Sequence, residues 1–398
     1  MIILALLALG ATVEVDGSAK IFPLLSSTPD NAFQESDTDF ATIGSFRLNG
    51  VAAGEQYIVT AAYHVFPIFG PNQNTAAGPQ GGLVAPIQSP LRLFDADREV
   101  TSDGDFLLLH NIDRAEVLYF REDGVEFRLG RQAIGHGSAR LFSSTDIFSP
   151  FSPATLDTEF KQGLDAARVT WPVDEDSEFE VYAVAADADL DRSLERGVYL
   201  VRYRQTIPER FDYSVYVGTS YASPTIGLDV SGDIGGATAY AEAFVRAWSN
   251  DAAVALGGEA DYTVRGTVGA QYFFPFDLDV VLEVHWNGPG ATERSGYLET
   301  VNRPEWSMGE VYLLGRAYVG SAWSYSTSDL SRLSVSTLHS LVDGSMLLTP
   351  SFFWDFATFG SLSVGAILGV GRRLSEELVT DEFGLYPYTV FSDIRVFF

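Results

Sequence analysis

From Val15 to the C-terminus the chain repeats one pattern: about ten residues of alternating apolar and polar side chains, then turn chemistry. A period of two places successive side chains on opposite faces of a strand, so each segment has one greasy face and one wet face. In 386–398, Phe398, Val396, Ile394, Val390 and Tyr388 share one face, with Ser392 its single small polar residue. Asp393, Arg395 and Thr389 fall on or near the other. Tyr199, Val201 and Tyr203 oppose Arg202 and Arg204, while Val280, Leu282, Val284 and Trp286 oppose Asp279, Glu283 and His285. Tyr and Trp at strand ends, with small aliphatics between them, fit aromatic girdles around a hydrocarbon band.

Tight turns at Glu122–Gly124, Asp174–Asp176, Pro208–Arg210, Asp233–Gly235 and Pro275–Asp277 alternate with long connections. The long ones run through Phe69–Asp113, Ala133–Lys161, Asn287–Met308 and Arg372–Leu385. The pattern predicts an all-β fold, a transmembrane antiparallel up-and-down barrel of about eighteen strands. Both termini fall on the tight-turn side. The count drops to about sixteen if two weaker segments belong to loops. A soluble propeller or sandwich is the competing reading, but it calls for bulky core faces and fixed repeat motifs that the chain lacks.

Composition narrows the chemistry. The chain has 53 acidic against 25 basic residues, a formal charge of −28 and no cysteine. So acidic a surface repels the phosphate backbone, which excludes nucleic acid as a partner. Without Cys there is no disulfide scaffold, thiolate metal site or Cys nucleophile. Hydrophobic residues make up 46%, yet no run reaches the roughly 20 apolar residues of a spanning helix. Met1–Thr12 is an apolar run ending in small residues, which predicts a signal peptide over 1–11 whose charged leader is missing. The barrel then occupies 12–398; a buried first strand or helix is the alternative for the leader.

The closing strand ending on Phe398 resembles that of Gram-negative outer-membrane barrels. That resemblance implies that Phe398 is the signal read by the barrel-assembly machinery, and that the partners are outer-membrane lipid and a small hydrophilic solute. A second segment runs Phe127-Arg-Leu-Gly-Arg-Gln132, Ile134-Gly-His-Gly137, Thr145-Asp-Ile-Phe-Ser-Pro150 and Gly163-Leu-Asp-Ala-Ala-Arg168. It resembles porin-like barrels of the alginate-export group and related large porins, with His136 standing where those would carry an aromatic. The resemblance implies that Arg131 and Gln132 face the lumen near its narrow part, and that Asp146 anchors a loop folded inward.

If the greasy faces meet lipid, the opposite faces line the lumen, because Arg at the bilayer midplane costs about 2–4 kcal/mol. The predicted pore-lining set is Arg128, Arg131, Gln132, Arg168, Arg202, Arg204, Arg246, Arg265, Arg316, Glu126 and Glu283. The group reads as a basic ring favouring anions; taken singly, each Arg also reads as the partner of a cross-strand carboxylate. The Phe69–Asp113 connection holds the apolar run Phe106–Leu109, read as a lumen plug or subunit contact with Asp103 and Asp105 near the pore mouth, or else as a surface loop. No metal-ligand spacing and no nucleophile elbow appears around the five His. Asp187-x-Asp-x-Asp191 lacks the Gly and Glu of an EF-hand. These observations predict a non-enzymatic, cofactor-free channel for small, anionic solutes in the outer membrane. A loop-plugged adhesive or structural barrel is the alternative, and a hydrolase the lesser one. Oligomeric state is left open.

Overall fold

The computed structural model describes residues 11–28, 37–70, 91–94, 98–148, 150–152, 155–186, 190–249, 262–372 and 381–398. The signal peptide expected over 1–11, apart from Ala11, and Asp187–Asp189 of the acidic triplet lie outside them. Among the described residues, no helix is long and apolar enough to cross a membrane.

Nineteen strands form one sheet. The first ten are β1 (Thr12–Thr28), β2 (Asp37–Ala53), β3 (Tyr57–Phe69), β4 (Arg98–Asp103), β5 (Phe106–Phe120), β6 (Glu126–Ala133), β7 (Gly163–Pro172), β8 (Ser177–Val184), β9 (Val198–Ile207) and β10 (Phe211–Ser220). Then come β11 (Ser223–Ile234), β12 (Ala237–Ala247), β13 (Tyr262–Phe274), β14 (Leu278–Asn287), β15 (Ala317–Ser328), β16 (Ser331–Ser340), β17 (Met346–Ala357), β18 (Gly360–Val370) and β19 (Tyr388–Phe397). All pairings are antiparallel between neighbours, and β19 pairs with β1 to close the ring. β4 pairs only with the upper end of β5, so eighteen strands make the barrel. The eighteen-strand expectation holds, and the start of β1 at Thr12 and the C-terminal Phe398 both lie on the tight-turn end.

Register assigns the faces. Val117, Leu129, Val217, Val268, Val284 and Trp286 are exposed on the outer wall, while their inward neighbours in sequence are buried or half-buried. A wall of exposed apolar side chains around a polar interior is the arrangement a bilayer stabilises. At the loop end the interior is packed instead with apolar side chains. Phe22, Leu24, Ile43, Phe66, Leu338, Leu347, Ile367 and Phe391 point inward and form one core with Phe142 and Phe383.

Three expectations are corrected here. Phe106–Leu109 is not a loop: it continues β5, pairing with β3 on one side and β4 on the other, and its Leu107 and Leu109 pack against the apolar core inside the barrel. Asp103 and Asp105 therefore flank the exposed Gly104 turn of an outlying hairpin and do not reach a constriction. The connection expected over Asn287–Met308 extends further, with residues 309–316 also folding as loop before β15 begins at Ala317. The long-loop end also carries a two-residue turn, Tyr221-Ala222, where both residues adopt φ near +55° (54° and 55°). That is the geometry of a two-residue hairpin turn matched to strand twist.

Phe398 closes the seam. Its N–H donates to Gly17 O at 3.0 Å, and Gly17 N–H donates back to Phe398 O at 2.8 Å. The Phe398 ring lies where a Cβ on Gly17 would sit, with an atom 2.5 Å away. Deleting Phe398 is expected to lower the yield of folded, heat-modifiable barrel in outer-membrane fractions. Undiminished yield would count against the terminal-signal reading.

Candidate constriction

The connection between β6 and β7, in its described residues 134–148, 150–152 and 155–162, folds into the barrel and is held by wall carboxylates. Glu242 on β12 accepts from the N–H groups of Ala139 (2.6 Å), Ser144 (2.7 Å) and Thr145 (3.0 Å). Glu283 on β14 accepts from the N–H groups of Arg140 (2.6 Å), Leu141 (3.1 Å) and Phe142 (2.9 Å), and from the Tyr240 hydroxyl (2.6 Å). Successive amides turned toward one carboxylate make an anion-binding concavity, here wrapped around a side chain of the protein itself. Gly137 permits the approach: its φ is +94°, and a Cβ would lie 2.4 Å from Glu242 Oε1.

Side chains complete the docking. Ser138 Oγ donates to Asp229 at 2.7 Å, and Phe142 stacks on His285 with centroids 5.0 Å apart. On the far wall, Lys20 pairs with Asp157 (2.8 Å) and Glu159 (2.7 Å), and Arg395 pairs with Glu159 (3.1 Å). The loop thus crosses the lumen from β12–β14 to β1 and β19. Asp146 lies within it, paired with Lys161. His136 sits among the rings of Phe148, Tyr182 and Tyr216. Burial, reinforced by Arg202, Lys161 and Arg168, holds it well below its ordinary pKa and therefore neutral.

The wall cations form triads in which two guanidinium groups share one carboxylate. Glu180 lies between Arg168 and Arg202, with the Arg202 contact at 2.7 Å. Glu310 lies between Arg246 (2.6 Å) and Arg265 (3.5 Å). Asp113 lies between Arg47 and Arg114. Each triad keeps one net positive charge. The first is the most open to solvent, with Arg168 27% and Arg202 16% exposed, against 12% for Arg114 in the third. Arg168 and Arg202 also lie over the rings of Tyr182 and Tyr216, contacts that favour a flattened guanidinium against the wall. Arg128 pairs with Glu116 (3.2 Å) and Arg204 with Glu178 (3.5 Å). Glu126 takes an inward, half-buried position opposite Thr170.

Other sequence-selected residues lie elsewhere. Arg131 shares the outer face of Leu129, because register runs unbroken through β5, β6 and β7. It is buried there against Asp165 (2.8 Å), and donates to Phe94 O (2.6 Å) under a strap formed by Leu91–Phe94. Gln132 does point inward but is fully buried, donating to Ala166 O at 3.0 Å. Arg246 and Arg265 are sealed behind the β14–β15 connection, which carries Glu310. Arg316 precedes β15, so strand alternation never reaches it; it donates to Gly290 O at 2.8 Å and lies over Trp286. Glu283 holds the loop and is 1% exposed, so it does not line water.

Sequence reasoning missed Arg140. It stands at the loop tip, exposed, with no carboxylate in ion-pair range among the described residues. Its neighbours Leu141 and Phe142 rest on Gly320 of β15. The lumen face of β15–β18 carries no charge at mid-height, only Ser324, Ser334, Ser336, Thr349, Ser351 and Ser363. No sequence signal marks Arg140, since it lies in a loop outside any periodic segment.

No protein-family profile and no curated protein matches this chain. Among solved structures it is similar to OccAB1 of Acinetobacter baumannii, at 10% identity and TM-score 0.56, covering 96% of each chain. It is also similar to OccAB4 of the same organism (9% identity, TM-score 0.55, 98% of this chain and 99% of that one). OccD3 (OpdP) of Pseudomonas aeruginosa matches at 8% identity and TM-score 0.52, over 98% of this chain and 93% of that one. At such identities the likeness is one of fold.

Proposed function

We propose that this chain is an outer-membrane channel for passive diffusion of small hydrophilic solutes, favouring anions. One observation carries the reading: a closed eighteen-strand ring with a polar interior, narrowed by a loop that the wall itself immobilises. A barrel of about this strand number leaves an aqueous lumen unless loops fill it. The anion preference rests on the Arg168–Glu180–Arg202 triad and on Arg140. The carboxylates nearest Arg140 are already turned to backbone amides.

The reversal potential of the refolded chain in a planar bilayer, across a salt gradient, tests this. Stepwise conductance with anion preference is the expected result. Arg140→Glu is expected to shift that preference toward cations, and an unchanged reversal potential would remove Arg140 from the selectivity. The apolar core across the loop end favours a second reading, a barrel with a filled lumen serving a structural or adhesive role. Verified folded barrel without conductance would select it.

A further inference from the structure

Three of the connections at the loop end meet at one buried acidic residue. Glu382 follows Asp381 in the β18–β19 connection and is 2% exposed. Its carboxylate accepts from Leu314 N–H (2.7 Å) and Gly315 N–H (3.2 Å) of the β14–β15 connection, and from the Tyr318 hydroxyl at the top of β15. Its own N–H donates to Asp343 Oδ2 (2.7 Å) in the β16–β17 turn. Next in sequence, Phe383 is fully buried in the lumen core, beside Tyr318 and Tyr386. The Glu382 turn therefore carries an apolar wedge into the barrel mouth.

Among the described residues, the groups facing Glu382 give it no cation. Asp343 is acidic and is held by Tyr297 (2.7 Å) and by Ser345 N–H (2.8 Å). Tyr318, Tyr297 and Tyr386 are neutral phenols. The nearby Arg294 is engaged by Asp381 (2.6 Å), which also faces Arg372. An ionised carboxylate enclosed without a countercharge is costly to bury, and neutralising it relieves that cost.

We propose that Glu382 is a proton-operated latch, which holds the three connections and the Phe383 wedge together in acid and releases them as pH rises. Burial raises its pKa from 4.5 to about 7, against the opposing pull of the Tyr318 and backbone hydrogen bonds. Because the latched pKa lies above the free value, proton binding favours the latched form. Its stabilisation is complete below 4.5 and is lost as pH rises through about 7. Between those limits the latched-to-released ratio falls about tenfold per pH unit. The latch rests on the barrel fold alone, so it stands or falls independently of the channel reading.

The chain has no cysteine, so spin labels can be placed cleanly at Leu341→Cys and Leu385→Cys, whose side chains are both exposed and make no contact with the Glu382 carboxylate. Pulsed electron resonance on the refolded full chain should show a narrow 341–385 distance distribution in acid that broadens as pH rises toward about 8. Glu382→Gln, a permanent mimic of the protonated form, should stay narrow throughout. Tyr318→Phe removes a donor to the latched carboxylate, which weakens the latched form and most of all its ionised state, so the transition should move to lower pH. A wild-type distribution that ignores pH, or a Glu382→Gln protein that follows the wild-type curve, overturns the proposal. Tyr318→Phe also keeps the test decisive if Glu382→Gln does not fold. A midpoint unmoved by Tyr318→Phe would likewise count against it.

Discussion

Glu242→Ala combined with Glu283→Ala should detach the constriction loop, and the expected result is larger, noisier single-channel steps from a barrel that still inserts. These carboxylates take the N–H groups of Ala139, Arg140, Leu141, Phe142, Ser144 and Thr145. Leaving a buried N–H unpaired costs about 1–3 kcal/mol each, so the loop cannot keep its place once both acceptors are gone. It would hydrate its amides by leaving the wall. The far anchors at Lys20 and Arg395 belong to the other limb of the loop and do not hold the tip. Limited proteolysis at 138–145 supplies a readout independent of current. A loop as protected as in the wild type, with unchanged conductance, would show that packing of Phe142 on His285 holds the tip without the carboxylates.

The second large effect is expected at the open triad. Arg168→Ala with Arg202→Ala leaves Glu180, 1% exposed, with the Tyr182 hydroxyl as its main remaining partner. Breaking a buried pair by removing one side costs about 3–5 kcal/mol, and the partial exposure of both arginines places this case toward the lower end. The double variant should therefore lose thermal stability and turn toward cations, since the wall there changes from one net positive to one net negative charge. Adding Glu180→Gln should restore much of the stability and return the reversal potential toward neutrality. A triple variant with the wild-type anion preference would exclude the triad from selectivity. Because Arg168 lies over Tyr182 and Arg202 over Tyr216, part of the stability loss is packing, which Glu180→Gln will not recover.

The strand count and the lipid-facing positions were legible because they follow from local periodicity. Val268 must oppose Thr267 wherever β13 sits, and Trp286 must oppose His285. Inward placement of Arg168, Arg202 and Arg204 was legible for the same reason. Their partners were not: Glu180 is the acid of Arg168 and Arg202 only because β8 pairs between β7 and β9 in one particular register. Arg131 shows the limit of the argument that charge must turn inward. Alternation puts it outside, and the fold tolerates that because Asp165 and the Leu91–Phe94 strap satisfy it locally. Phe106–Leu109 failed for a related reason. A short apolar run has no period of its own, and only its neighbours β3 and β4 made it a strand.

The sequence by itself determined that the chain closes as a barrel with a greasy outside and a polar inside, since a two-residue period is a property of each strand alone. The tertiary structure decided what narrows that barrel. The place of the loop between β6 and β7, the sharing of each carboxylate by two arginines, the exposure of Arg140 and the burial of Glu382 all depend on contacts between residues far apart in the chain. Such contacts exist only once ring closure brings β12, β14 and β19 around one lumen, so no local pattern can record them.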